Sequence, residues 1–262
     1  MSVEFRLLLA CARANPAPDD EAEIRAMLID GVDWTHFVRT AIRCGLAGLA
    51  GHALMRVAAD LVPDEILEAF LVTIDRTREQ NRVLLDTALG VIDALRVRGI
   101  EAIPFNGPIL AIDAYGDLGL RRLSGHLDLF IRAPDLSRGI SCIRSLGYER
   151  KKETFRHADG STVTLRTRLV PMVTAIDTDD GGLWRRKQPK MRNGRTVLTL
   201  APEDALLVLA VRGGREGWGN IRRACDVAAF IGSYPGLAWN GLLDNAQARA
   251  CRFMFLLAMS IV

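Results

Sequence analysis

The sequence predicts an α+β protein in which a small mixed sheet lies between two helical regions. Apolar residues recur at helical spacing through residue 97 and again after residue 200. Between these regions, short apolar or alternating runs are bounded by glycine or proline, which is typical of strands and turns. We therefore predict a helical region at 1–97, an α/β core at 98–200 and a second helical region at 201–262.

Composition limits the possible classes of function. Of the 262 residues, 49% are hydrophobic and 25% are charged, so the chain can bury a substantial core. A net charge of +3 is too small for the whole surface to bind nucleic acid, and an anion site requires local clustering of basic residues. The five cysteines lack CxxC or zinc-ligand spacing, which favours the reducing cytoplasm. No membrane span is predicted.

The N-terminal region is predicted to be helical from residue 19 onward. Gly45 is predicted to end a helix that opens at 32–34, and Pro63 with its two following acids begins the next. That helix is predicted to continue to Arg98, with the polar run 76–81 either an exposed face or a break.

The central region is predicted to contain strands separated by short helices. Apolar runs at 100–105 and 127–131 predict two strands, and the segment 108–115 between them, which begins with proline, predicts a helix. Residues 161–170 alternate in polarity and predict a third strand. We also predict a helix after Pro134, a strand at 196–200, and two helices that begin at Pro202 and near Ile221.

One group of residues in this region suggests chemistry. Asn106 and Gly107 follow the first strand, and His126 and Asp128 occupy alternate positions on the second. In a strand–turn–helix–strand unit, backbone N–H groups at the glycine turn can hold phosphates, while alternate strand residues share a metal. An unpaired carboxylate in a buried strand is costly, so Asp128 is predicted to be functional.

With these residues, the sequence resembles the uncharacterised nucleotidyltransferases of the polymerase-beta superfamily. The similar segments include 107–108, 115–117, 127–129, 146–148, 198–204 and 226–228. The resemblance implies a polymerase-beta-like core that binds a nucleoside triphosphate (NTP) and transfers its nucleotidyl group to an acceptor hydroxyl. It implies Asp128 and His126 as catalytic or metal-binding residues for Mg²⁺ or Mn²⁺. It further implies that Gly107 and either Arg121 or Arg122 bind phosphate.

The chain departs from the family pattern at the expected metal ligands. Family members usually carry lysine at position 106, aspartate at position 126 and an acid followed by histidine near 164–166. One carboxylate and one imidazole make a poor Mg²⁺ site. Three accounts stay open: a softer ion such as Mn²⁺ binds His126 and Asp128, an acid from 177–180 completes the site, or nucleotidyl transfer is lost and the pocket is kept for binding or other chemistry.

The third predicted strand favours phosphate binding by arginine. Thr164, Arg166 and Arg168 share one face of it, and arginine forks match phosphate oxygens. The sequence thus predicts a phosphate pocket held more by arginine than by magnesium. Asn106 is interpreted first as a helix cap, with phosphate contact as the alternative. The basic run 185–195 is interpreted as a solvated hairpin rather than an RNA site.

Three functions follow from these residues and this resemblance. The first is an NTP-dependent nucleotidyltransferase whose hydroxyl acceptor is a small molecule, a peptide or RNA. The second is a catalytically degenerate homologue that binds a phosphate, a nucleotide or a partner protein. The third is transfer of another phosphate-linked group to a peptide or small molecule.

Overall fold

The computed structural model describes residues 2–14, 16–122, 125–169 and 182–262, and it confirms the predicted α+β class. The N-terminal region is helical, as predicted. Its helices are α1 (Val3–Ala10), α2 (Pro18–Ile29), α3 (Trp34–Cys44), α4 (Ala47–Val57) and α5 (Asp64–Val97). A short 3-10 turn, Ala59–Leu61, connects the last two.

The central region contains the strands and the remaining short helices. In chain order these are β1 (Ala102–Pro104), α6 (Gly107–Tyr115), β2 (His126–Ile131), α7 (Leu136–Ser145), β3 (Glu149–Lys151), β4 (Thr154–Arg156), β5 (Thr162–Arg166), α8 (Gly182–Arg186), β6 (Gln188–Arg192) and β7 (Arg195–Thr199). The helices α9 (Pro202–Arg215), α10 (Ile221–Ser233), α11 (Trp239–Ala248) and α12 (Arg252–Ile261) follow.

The main sheet has five strands in the order β1-β2-β5-β4-β3. It is mixed, as predicted, because β2 runs parallel to β5 while the other pairs are antiparallel. The parallel pair aligns Asp128 with Thr164 and Phe130 with Arg166. This register places the strand that carries the aspartate beside the strand that carries arginine.

Two strand predictions need correction, and one hairpin was missed. The strand predicted at 100–105 is limited to Ala102–Pro104, since the chain turns at Phe105 and Asn106 into α6. The strand predicted at 161–170 ends at Arg166, where pairing with β2 stops. The β3–β4 hairpin was not predicted, because its strands are three residues long and mostly exposed.

The polar run within α5 is not a break, because the helix is continuous from Asp64 to Val97. Asn81 is buried in this run, and its amide donates hydrogen bonds to the carbonyl oxygens of Leu118 (2.6 Å) and Arg121 (2.8 Å). Buried polar groups require such partners. Asn81 therefore holds the segment that leads into β2.

Side chains of β2 divide between two hydrophobic clusters. Leu127, Leu129 and Ile131 pack with the second half of α5, whereas Phe130 packs with α9 and the helices after it. Successive strand residues point to opposite faces, so Asp128 shares the face of Phe130. The C-terminal helices therefore border the site of Asp128.

Most of the basic run 185–195 lies in the predicted hairpin, which is β6–β7, while Arg185 and Arg186 end α8. Several of its cations are paired with acids of the protein body, as in Lys187 with Glu101 (3.0 Å), Arg195 with Asp93 (3.0 Å) and Arg192 with Asp113. Pairing of this kind leaves less positive charge for a polyanion. Across the ranges that the structure describes, no helix is both long enough and apolar enough to cross a bilayer.

Candidate functional site

A cavity of about 280 Å³ opens where the start of α6, the ends of β2 and β5, and the helices α9 and α10 meet. Its lining is dominated by cations, with six arginines and two aspartates. The lining residues are Asn106, Gly107, Arg121, Arg122, His126, Asp128, Arg166, Arg212, Asn220, Arg222, Arg223 and Asp226. Such an excess of guanidinium groups selects for an anionic ligand.

Asp128 is the buried acid at the centre of this cavity, with a residual exposure of 3%. Arg166 Nε donates to Oδ1 at 3.0 Å, and the Asn106 amide donates to Oδ2 at 3.3 Å. Arg212 lies 3.7 Å from Oδ2. Burial raises the pKa of Asp128, but hydrogen bonds from His126 and Arg166 and the charge of Arg212 outweigh burial and hold it well below its usual range.

His126 lies at the cavity edge beside Asp128. Its Nε2 is 2.8 Å from the Thr164 hydroxyl and 3.5 Å from Asp128 Oδ1. The imidazole side chain is 30% exposed, so it lies within reach of a ligand in the cavity. This position suits a proton acceptor or donor.

Arg121 forms a buried ion pair with Asp226 of α10. Its Nε and Nη2 donate to the two carboxylate oxygens at 2.6 and 2.8 Å, and the Tyr115 hydroxyl also donates to Oδ1 at 2.9 Å. Burial, together with the charge of Asp226, raises the pKa of Tyr115, so its hydroxyl remains a proton donor. The fork of Arg121 is thus directed to Asp226.

Asn106 links these two charged groups. It occupies the N-cap position of α6, but its side chain makes no capping hydrogen bond, so the interpretation as a cap is wrong. Its carbonyl oxygen accepts from Arg121 Nη2 at 3.3 Å, while its amide donates to Asp128. Gly107 follows with a φ of +67°, a conformation that favours glycine, and lines the cavity at the start of α6.

Two further predicted residues occupy different positions. Arg122 is exposed and lines the cavity. Arg168 is exposed and does not line the cavity. The expectation that it shares a face with Arg166 is wrong, because β5 ends at Arg166 and strand alternation no longer applies.

Sequence reasoning missed the contribution of α9 and α10. Arg212 enters from α9, and Asn220, Arg222 and Arg223 enter from the start of α10. Arg212 was not among the site residues predicted from the sequence. Burial lowers the pKa of Arg212, and repulsion by Arg223 and Arg166 adds to that effect. The cluster repels itself, and a bound anion would relieve that repulsion.

The described residues do not fit a divalent cation. Within the ranges given above, no group of three or more acidic, histidine or cysteine side chains could hold a metal ion. Both oxygens of Asp128 face nitrogen donors, and those of Asp226 accept from Arg121. Divalent cations require oxygen ligands that are free to coordinate. The acids at 177–180 lie outside the described residues.

The lowered pKa of Asp128 predicts a pH dependence of stability. An unfolded aspartate has a pKa of about 3.9, so the ionised native pair contributes stability above about pH 4 and loses it as pH falls toward the lower native pKa. Asp128→Asn removes this titration. The difference in unfolding free energy between wild type and Asp128→Asn is therefore expected to shrink as the pH is lowered from about 5 to about 2. Urea titrations at each pH measure this difference. A difference that stays constant over this range would contradict the assignment.

A buried aspartate on β2, a glycine turn at the start of α6 and a cationic cavity lie together in this fold, the arrangement that the resemblance to nucleotidyltransferases implied. A family model described as an uncharacterised nucleotidyltransferase matches residues 30–262, and the chain belongs to this family. The family predicted from the sequence motifs is thereby confirmed.

Two solved structures are similar to this chain. One is the solution structure of the antibiotic-resistance factor ANT(2'')-Ia, with 11% identity, a TM-score of 0.45, and coverage of 68% of this chain and 96% of that one. The other is the crystal structure of an antigenic nucleotidyltransferase-like protein from Paracoccidioides brasiliensis, with 15% identity, a TM-score of 0.40, and coverage of 67% and 92%. No curated protein matches the sequence.

Proposed function

We propose that this member of the nucleotidyltransferase family binds the triphosphate of an NTP in the arginine-lined cavity without a divalent metal. The observation that carries the proposal is the lining itself, in which six arginines surround two carboxylates that are already paired with guanidinium groups. Guanidinium charge supplies the neutralisation of phosphate that Mg²⁺ provides elsewhere.

The arginines retain donors for a ligand. A guanidinium carries five N–H groups. Arg166 donates to Asp128 through Nε, so this ion pair does not use the two terminal nitrogens, which can donate to a ligand. Arg122, which is exposed, and Arg222 also line the cavity. At the base, the backbone N–H groups that open α6 at Gly107 add a favourable helix dipole.

The position of His126 supports a second function, nucleotidyl transfer. In this reaction an acceptor hydroxyl oxygen bonds to the α-phosphorus, the bond to the β-phosphate breaks, and pyrophosphate leaves. His126 would take the hydroxyl proton at Nε2 after releasing Thr164. The acceptor is a small molecule, a peptide or RNA.

Calorimetric titration with each of the four NTPs tests both functions. We expect binding in EDTA that Mg²⁺ or Mn²⁺ does not strengthen, whereas a metal-dependent enzyme would bind only with the ion. Product analysis with NTP labelled at the α-phosphate, over a panel of acceptors, then separates transfer from binding. Failure of all four NTPs to bind in EDTA would refute the metal-free proposal.

Asp128→Asn provides a sharper test of the metal-free mode. The substitution removes a negative charge beside Arg166 and Arg212 while keeping the side-chain shape. We expect NTP affinity in EDTA to rise by about tenfold. The exposed Asp159→Asn, remote from the cavity, serves as the matched control and should change nothing. Loss of NTP binding by Asp128→Asn in Mg²⁺ or Mn²⁺ buffer, where wild type binds only with the ion, would instead indicate that the carboxylate holds a metal.

We also propose the cytoplasm as the compartment of this activity. All five cysteines are free thiols, and Cys11, Cys142, Cys225 and Cys251 are buried. Free thiols persist where the environment is reducing, and NTPs are available in the same compartment. Fractionation of cells that express the full chain would test this.

A further inference from the structure

A second cavity, of about 390 Å³, adjoins the arginine cavity on its N-terminal side. We call it the α5 groove. One wall is a face of α5, and the other is the junction of α3 and α4 with the segment before β2. Its lining residues are Ile42, Gly45, Ala47, Gly48, Val72, Thr73, Arg76, Thr77, Gln80, Gly119 and Arg122.

The two cavities are adjacent and share a lining residue. Arg122 lines both of them. Gly45 of the groove also lies against Arg222 of the arginine cavity, since a Cβ at Gly45 would come within 2.9 Å of the Arg222 Cδ atom. A ligand that extends past Arg122 would therefore occupy both spaces.

The floor of the α5 groove is backbone. Gly48 packs on the segment before β2 so closely that a Cβ there would lie 2.6 Å from the Gly119 carbonyl oxygen. Aliphatic side chains flank this floor, with Ile42 49% exposed and Val72 62% exposed. A glycine floor between aliphatic side chains suits a flat, partly apolar group.

The wall of the groove formed by α5 offers hydrogen-bonding groups that have no partner within the described chain. Thr73, Thr77 and Gln80 follow one another at helical spacing on α5, so they share one face. Neither the Thr77 hydroxyl nor the Gln80 amide is hydrogen-bonded to any described part of the chain. Both can donate and accept, which matches the mixed edge of a nucleobase.

We propose that the α5 groove binds the nucleoside of the NTP whose phosphates occupy the arginine cavity, an inference that rests on the proposed function. The arginine cavity, at about 280 Å³, falls just below the roughly 300–1,000 Å³ typical of sites that enclose a whole small ligand. A triphosphate fits there only if its nucleoside lies outside, and the adjoining space begins at Arg122. The planar guanidinium of Arg122 can stack on a base while its edge contacts phosphate.

The lining favours the nucleoside over the acceptor as occupant. Among the described residues of the α5 groove, none is acidic and none is histidine, so nothing there would take a proton from an acceptor hydroxyl. The only charged residues of its described lining are Arg76 and Arg122, and its other polar side chains are the neutral ones of Thr73, Thr77 and Gln80. His126, the candidate base, lines the arginine cavity instead.

Comparison of ATP with inorganic tripolyphosphate tests the inference, because the second ligand has phosphates and no nucleoside. Thr77→Phe fills the groove and is expected to raise the calorimetric Kd for ATP about tenfold, while the Kd for tripolyphosphate stays within about twofold. Thr87→Phe, the same substitution on α5 outside both cavities, should change neither value. Thermal unfolding verifies that each variant is folded.

Gln80→Ala keeps the test valid if Thr77→Phe does not fold, because Gln80 is exposed. We expect it to change the order of affinity among ATP, GTP, CTP and UTP and to leave tripolyphosphate binding unchanged. Equal effects on ATP and tripolyphosphate, or no effect on either, would overturn the inference. So would an unchanged Kd for ATP with loss of transfer, which would make the groove an acceptor site. If neither ligand binds the wild type, the proposed function itself fails.

Discussion

Asp226→Ala is expected to lower the free energy of unfolding by about 3–5 kcal/mol, because it leaves the buried Arg121 guanidinium without its counter-charge. The Asp226 side chain is 1% exposed and that of Arg121 is 12% exposed, so water cannot replace the lost partner. The same change leaves the Tyr115 hydroxyl without its acceptor. Urea denaturation at pH 7 measures the loss.

A matched comparison separates this effect from ordinary surface pairing. Glu216 pairs with Arg223 at 2.9 Å but is 43% exposed, so Glu216→Ala is expected to lose less than about 1 kcal/mol. In the double variant Arg121→Met/Asp226→Leu no buried charge is left unpaired, and it should be more stable than Asp226→Ala. A loss below about 1 kcal/mol for Asp226→Ala would show that the pair is not buried in solution.

Arg166→Ala is expected to weaken NTP binding by about 10- to 150-fold, since charge-assisted hydrogen bonds contribute about 1.5–3 kcal/mol each. The loss has two causes. The variant removes donors to phosphate, and it leaves the Asp128 carboxylate, which repels phosphate, with one guanidinium fewer beside it. Calorimetric titration in EDTA gives the ratio of Kd values.

Arg168→Ala is the matched control for this experiment. The two arginines are close in sequence and were predicted to share one strand face, but Arg168 is exposed beyond the end of β5 and does not line the cavity. Its removal should change the Kd by less than about twofold, the difference expected from general charge alone. Equal losses in both variants would mean that the anion binds the surface rather than the cavity.

Arg121 and Arg122 show how the structure divides neighbouring residues between two roles. One or the other was predicted to bind phosphate, and both line the cavity. Arg121 is held by Asp226 and in turn positions Asn106, so it acts on the site indirectly. Arg122 is exposed and available to a ligand. Substitution of Arg122 is therefore the more direct probe of phosphate affinity.

The sequence identified the parts of the site that belong to local patterns. The strand with Asp128, the turn at Gly107 and the cationic residue Arg166 each follow from strand alternation, glycine conformation or proline position. The long helix α5 also follows from periodicity and its Pro63 start. The family resemblance arose from the same short segments.

The contacts of Asn106 and of Arg121 did not follow from local patterns. Asn106 has the residue type and position of a helix cap, yet its amide bridges Arg121 and Asp128. Arg121 pairs with a residue 105 positions further along the chain. Sequence periodicity reports which face of its own element a residue occupies, and it carries no information on which distant element packs against that face.

By itself the sequence determined the class of fold, the family, and the strand and turn on which Asp128 and Gly107 lie. Only the tertiary structure decided that α9 and α10 bring Arg212, Arg222 and Arg223 to Asp128, and that Arg168 is left outside. The physical reason is that local hydrophobic patterns form helices and strands, whereas the charge of a cavity is set by which elements pack together. In this protein, that packing surrounds the carboxylate with guanidinium groups.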